Sequence, residues 1–237
     1  MTAEPLTPRS LSTPRSAGVA GVLFAVLFAT TVFLIHRVVP ADPHDSGAWL
    51  TNPSSRREVQ IALWIVPFTG IFFMWFMGAV RSRVGLAEDR FFSTVFLGSG
   101  FLFIAMLFIS SALMGALISL ASHNRGLPPL SVWGLGRSAT YSLTTTFALR
   151  MAAVFMIAAS TIALRLAIHH KFIVWVGYAS ALVLLVAAPS LPYVELLFPL
   201  WVLLVSVSLL IQARRTDNGR LRDPGATGSW PDADTAE

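Results

Sequence analysis

Apolar residues run through this chain in six long blocks, separated by short stretches where arginine, proline and other polar residues gather. The blocks fall at about 17–37, 59–80, 91–121, 139–164, 172–188 and 193–212. Each is close to or above the ~20 residues that carry an α-helix across a ~30 Å hydrocarbon layer at about 1.5 Å per residue. A strand in lipid would leave its backbone groups unpaired unless it joined a closed barrel, and the dyad alternation of a barrel is absent. The pattern therefore predicts an all-α, polytopic bundle of six transmembrane helices. The third block is long enough to need tilt or protrusion, and the fifth is short. Pro189-Ser190-Leu191-Pro192 predicts a tight reversal that makes the last two blocks an antiparallel hairpin.

The ends differ from this apolar middle. Residues 1–16 repeat Thr-Pro-Arg-Ser at 7–10 and 13–16 and hold almost nothing to bury, so they are expected to form a disordered cytoplasmic arm. Residues 213–237 run from Arg214-Arg215 into glycine, proline and acids, and are expected to form a disordered cytoplasmic tail. The first apolar block follows Arg9 and Arg15 as a signal peptide would. It exceeds a usual signal core and lacks a small-x-small site before His36-Arg37, so it is expected to stay as a helix.

Charge sets the expected orientation, because Lys and Arg in short loops are retained on the cytoplasmic side. Arg9, Arg15, Arg81, Arg83, Arg90, Arg165, Lys171, Arg214, Arg215, Arg220 and Arg222 fall on one side of the six blocks, against Arg37, Arg56, Arg57, Arg125 and Arg137 on the other. Both termini are thus expected in the cytoplasm, and the address is the cytoplasmic membrane. Trp49, Trp133 and Trp175 lie near block ends, where indole rings favour the interface.

Composition agrees with a lipid environment: 55% of the residues are apolar, only 12% are charged, and the mean hydropathy is +0.69. The high isoelectric point does not point to nucleic acid, since the basic residues sit in short clusters rather than along one face. There is no cysteine, which excludes disulfides, thiolate metal sites, iron–sulfur clusters and thiol nucleophiles. No HExxH, phosphate-binding glycine loop or GxSxG is present, and no paired carboxylates lie within a span, so no enzymatic activity is expected. Asp42, His44 and Asp45, with His36 nearby, match no metal-ligand spacing and suit a solvated turn around Pro40 and Pro43. His169 and His170 point about 100° apart on a helix, which suits a helix cap better than a ligand pair. A haem would need buried mid-span histidines, so neither metal nor cofactor is expected.

One residue stands out. Arg150 lies within the fourth block, roughly 16 Å below its start, where a guanidinium needs partners. Glu195 is the only acid placed within a span, and Pro199 removes the helical donor to its carbonyl, as Pro67 does for Leu63. These features suggest a polar pocket open to the outside, with Arg150 at its base and Arg150 and Glu195 as candidate ligand-binding residues. Glu195 lies only about 5 Å in, so direct pairing requires Arg150 to snorkel or a water to bridge. The alternative role for Arg150 is a structural clamp on a carbonyl or on Glu195.

Ala17, Gly21, Ala25 and Ala29 form a small-residue stripe, as do Ala159, Ala163 and Ala167. Such stripes let helices approach closely, either within the bundle or toward another membrane protein or a second copy. Phe72, Phe73, Trp75 and Phe76 surround their helix and are expected as lipid-facing bulk.

Arg81-Ser82-Arg83, Glu88-Asp89-Arg90 and the run Phe91 to Gly100 precede a C-terminal third of recognisable form. That third reads Arg165 to Lys171, Trp175-Val176-Gly177, then Phe198-Pro199-Leu200-Trp201-Val202-Leu203-Leu204-Val205-Ser206-Val207. In these segments the chain resembles a group of uncharacterised integral membrane proteins of about this length from actinobacteria. The resemblance implies the six-span architecture and a plasma-membrane address, and implies no catalytic residue. The expected function is a non-catalytic accessory, assembly or small-ligand-sensing component of the membrane. The alternative is a small transporter or permease-like protein whose pocket around Arg150 binds an anionic group. Expected partners are the lipid bilayer and other membrane proteins or a second copy.

Overall fold

The computed structural model describes residues 14–40, 45–84, 90–123, 127–165, 171–186 and 193–222. Among them there is no strand. Six helices follow one another: α1 Pro14–Val38, α2 Pro53–Val84, α3 Arg90–His123, α4 Leu130–Arg165, α5 Lys171–Val186 and α6 Leu197–Arg222. Single 3-10 turns, Ala48–Thr51 and Val194–Leu196, lead into α2 and α6. Five helices are long and apolar enough to cross a membrane, and α5 is a shorter apolar helix of 16 residues. The all-α class expected from the sequence is the one observed, with the make-up of a helical membrane protein.

Several helix ends lie beyond the apolar blocks. α1 begins at Pro14, inside the expected arm, α2 begins at Pro53 rather than 59, and α4 begins at Leu130 rather than 139. α6 continues to Arg222 rather than stopping at 212. Hydropathy marks the length a helix spends in lipid, whereas the backbone keeps winding into water wherever its residues tolerate it. At α2 the start is locally determined. Asn52 accepts the Ser54 N–H at 3.0 Å, and Pro53 occupies the first helical position, where its missing donor costs nothing. The rest of the two tails, Arg125 and the Pro189–Pro192 reversal lie outside the described residues.

The helices form a closed ring. α1 packs on α2 and α6, and the remaining neighbours are α2 with α3, α3 with α4, α4 with α5 and α5 with α6. Contacts at the two ends fix the directions. A Cβ on Gly18 of α1 would overlap Leu210 of α6, and the Arg165 guanidinium lies 4.6 Å over the Phe92 ring. At the opposite end His36 meets Glu195, and the Trp133 indole bonds to Asp45. Consecutive helices are therefore antiparallel, and α1 starts where α6 finishes. These are called the terminal end and the loop end below.

Phenylalanine fills the centre. Phe73 of α2 is the hub, with ring centroids 4.7 Å from Phe24, 5.1 Å from Phe155, 5.4 Å from Phe103 and 5.5 Å from Phe198. All five are buried, and Phe76 and Phe96 extend the cluster. This corrects the expectation that the α2 aromatics face lipid: Phe73 and Phe76 are core, Phe72 is half-buried, and Trp75 alone of the four is exposed. The α1 stripe is used internally, since a Cβ on Gly21 would overlap Ser206 of α6 and crowd Phe76 of α2. On α4, Ser160 occupies the notch made by Gly177 of α5, while Ala159 and Ala163 are half-buried and Ala167 lies outside the described residues.

Candidate functional site

Thr144-Thr145-Thr146 interrupts the apolar run of α4, and the winding changes there. Thr140, Thr144 and Thr145 each donate a hydroxyl to the carbonyl four residues back, at 2.8, 3.0 and 2.8 Å. Such bonds compete with the backbone ladder for its acceptors and loosen a helix. Ser142–Ala148 is π-helical, and the Leu149 N–H reaches back five residues to the Thr144 carbonyl. Short π segments are rare and recur at functional sites. Ser110 of α3 ties the segment to its neighbour, with its hydroxyl 2.8 Å from the Thr144 hydroxyl and 3.4 Å from the Thr140 carbonyl.

Arg150 follows directly. Its Nη1 donates to the Thr146 carbonyl at 2.7 Å, and the residue is half-buried. The guanidinium carries five N–H donors, and no carboxylate among the described residues pairs with it. The side chain runs back toward the start of α4, as helical side chains do, and so toward the loop end. From Arg165 to Arg150 the helix rises roughly 22 Å, so an upright helix puts Arg150 in the half of the bilayer nearer the loop end.

Glu195 is elsewhere. It sits in the 3-10 turn before α6, with Oε1 3.1 Å from His36 Nε2. His36 Nδ1 lies 3.0 Å from the Val32 carbonyl, and its ring packs 4.8 Å from that of Tyr193. Tyr193 has φ 57°, a left-handed conformation that a residue with a Cβ adopts at some cost. The structure thus does not bring the two candidate residues together. Arg150 takes a carbonyl on its own helix, and Glu195 latches the start of α6 to the end of α1. Sequence reasoning missed Ser110, Thr144, Thr146 and His36 as partners. The Thr-Thr-Thr run before an arginine within an apolar block was the available signal for part of this set.

A separate cap closes the loop end. Gly47 has φ 77° and lies against the Trp133 ring, where a Cβ would come within 2.8 Å. The Trp133 indole N–H donates to the Asp45 carbonyl at 2.8 Å, and Arg137 donates to the Pro40 carbonyl at 3.1 Å. Trp49 and Trp133 meet edge to face at 6.1 Å over Leu50, Val59, Met114, Leu117, Ile118 and Ala121. Both indoles are buried against protein, whereas Trp175 is exposed. Among the described residues no group of three His, Asp or Glu side chains could hold a metal ion. Asp42, His44, His169 and His170 lie outside the described residues.

The polar set on α3 and α4 could cradle an anionic group or clamp two helices. Comparison with protein-family models, with curated protein sequences and with solved structures gives no match for this chain.

Proposed function

We propose that the chain is a six-span protein of the cytoplasmic membrane, with both termini in the cytoplasm, that works without catalysis as an accessory or assembly component. The phenylalanine core carries this reading. Eight buried phenylalanine rings from α1, α2, α3, α4 and α6 occupy the axis along which a translocated solute would pass. Small residues left uncovered add to it. Ala112, Ala116 and Ser119 are exposed on α3 beside half-buried Gly115, and nothing lies near Gly78 or Gly98. Helices with such surfaces associate closely in lipid. The resemblance to actinobacterial integral membrane proteins belongs to the same proposal.

The absence of cysteine makes the test clean, because a single introduced thiol has no background. Ala116→Cys in native membranes is expected to form an oxidative cross-link to a second chain. Trp175→Cys, on an equally exposed part of α5, is expected to form none. Equal cross-linking from both sites would count against assembly through α3. Ser54→Cys should label from outside intact cells and Ser82→Cys only after permeabilisation. The reverse pattern would sink the orientation.

A second reading keeps Arg150 as the base of an anion site in a transporter-like protein. What favours it is a guanidinium with a single carbonyl acceptor beside a π segment. Anion uptake into proteoliposomes that disappears in Arg150→Leu would select it over assembly.

A further inference from the structure

One face of α2 carries an open groove of about 410 Å³ lined by Arg57, Gln60, Ile61, Trp64, Ile65 and Phe68. These positions recur at helical spacing, so they form one stripe down a single face. Trp64 is 78% exposed and Phe68 54%, which leaves two large aromatic walls open among the described residues. The stripe is polar only at its top. Arg57 and Gln60 stand at the loop end, and everything below them is apolar.

Two quantities say what fits. From Arg57 to Phe68 the helix rises roughly 16 Å, which is about the depth of one leaflet of a ~30 Å hydrocarbon layer. The upper end is also positive. α2 has no acid in its first turn, Arg56 and Arg57 follow, and the helix dipole adds partial positive charge there. Glu58, the only acid in α2, does not line the groove.

We infer that this groove is a binding site for an anionic phospholipid of the leaflet at the loop end. The phosphate would sit on Arg57 and Gln60, and one acyl chain would run down Trp64 to Phe68. A guanidinium holds a phosphate with two parallel hydrogen bonds, and a flat aromatic wall gives a disordered chain one face to lie on. The inference rests on the helices crossing a bilayer, and it holds whether or not the protein assembles with others.

Native mass spectrometry of the full chain in mild detergent, titrated with phosphatidylglycerol or phosphatidylcholine, tests it. One phosphatidylglycerol should be retained where phosphatidylcholine is lost, and Arg57→Gln should cut that preference about tenfold, the size of one charge-assisted contact. Trp64→Ala with Phe68→Ala should lower retention of both lipids, while Trp175→Ala, on another exposed surface, should change neither. All these side chains are exposed, so melting without added lipid should stay at the wild-type value in every variant. Equal retention by wild type and Arg57→Gln overturns the site, as does a loss in Trp175→Ala matching that in the groove variant. A dimer that Trp64→Ala dissociates would assign the face to a second copy instead. A chain that stays monodisperse without detergent would sink the membrane reading itself, which none of the lipid outcomes does.

Discussion

Arg150 holds a cation in the bundle with one carbonyl for company, and its two roles separate under mutation. As a clamp, Arg150→Leu removes a charge that is costly in lipid and leaves the Thr146 carbonyl relaxed, so the melting temperature should hold or rise. As an anion site, the same change should abolish stabilisation by added carboxylates or phosphates, since a ligand stabilises only a state that binds it. Arg150→Lys should then be intermediate, keeping the charge but losing the planar fork. Thermal melts of wild type and both variants against an anion panel decide between them. Glu195→Gln should cost less than about 1 kcal/mol, because the pair with His36 is partly solvated. Arg150 was legible in the sequence as a cation deep inside an apolar block. Its partner was not, because a backbone carbonyl four residues away on the same helix carries no residue-type signature. Glu195 was legible only as an isolated acid, since its pairing depends on where α1 ends.

Two glycine sites on the helices make opposite predictions. Gly21→Ala places a methyl into Ser206 and Phe76, where helices α1, α2 and α6 converge, and should cost about 1–3 kcal/mol as an overpacked core does. Gly78→Ala meets open space and should be neutral or mildly stabilising, by up to about 1 kcal/mol of helix propensity. Chemical denaturation in detergent reads both. At the loop end, Gly47→Val combines a left-handed φ with a clash against Trp133, so the connection before α2 should detach from α4. Faster hydrogen exchange at residues 45–52, with the spans unchanged, is the expected readout. Helix number and approximate placement could be read from apolar block length. Which aromatic faced inward could not: every face of α2 is apolar, and lipid is as apolar as a protein core, so Phe73 and Trp75 look alike until neighbours are known. The cap around Trp133 was illegible for a related reason. Residues 130–138 hold too little apolar character to read as a span, yet they continue α4 beyond the block and carry the indole into the cap.

Across the whole molecule, the described helices converge on Phe73 and the buried rings around it. Phe73→Ala should cost about 3–5 kcal/mol, the usual loss for a buried ring, and leave an apolar, dry cavity rather than a path for ions. Unchanged ion leakage from proteoliposomes of wild type and Phe73→Ala would agree with a closed bundle. The way the ring closes also has a temporal side. α1 is seated against a helix made much later: Gly21 of α1 waits for Ser206 of α6, 185 residues further along the chain. At about 5–20 residues per second of synthesis, that is roughly 10 to 40 s during which α1 has its α2 and α3 neighbours but lacks α6. The packing around α1 is therefore incomplete until α6 is delivered. Stopping synthesis at 192 should leave a short-lived product in pulse-chase labelling, cleared by membrane proteases while the full chain persists.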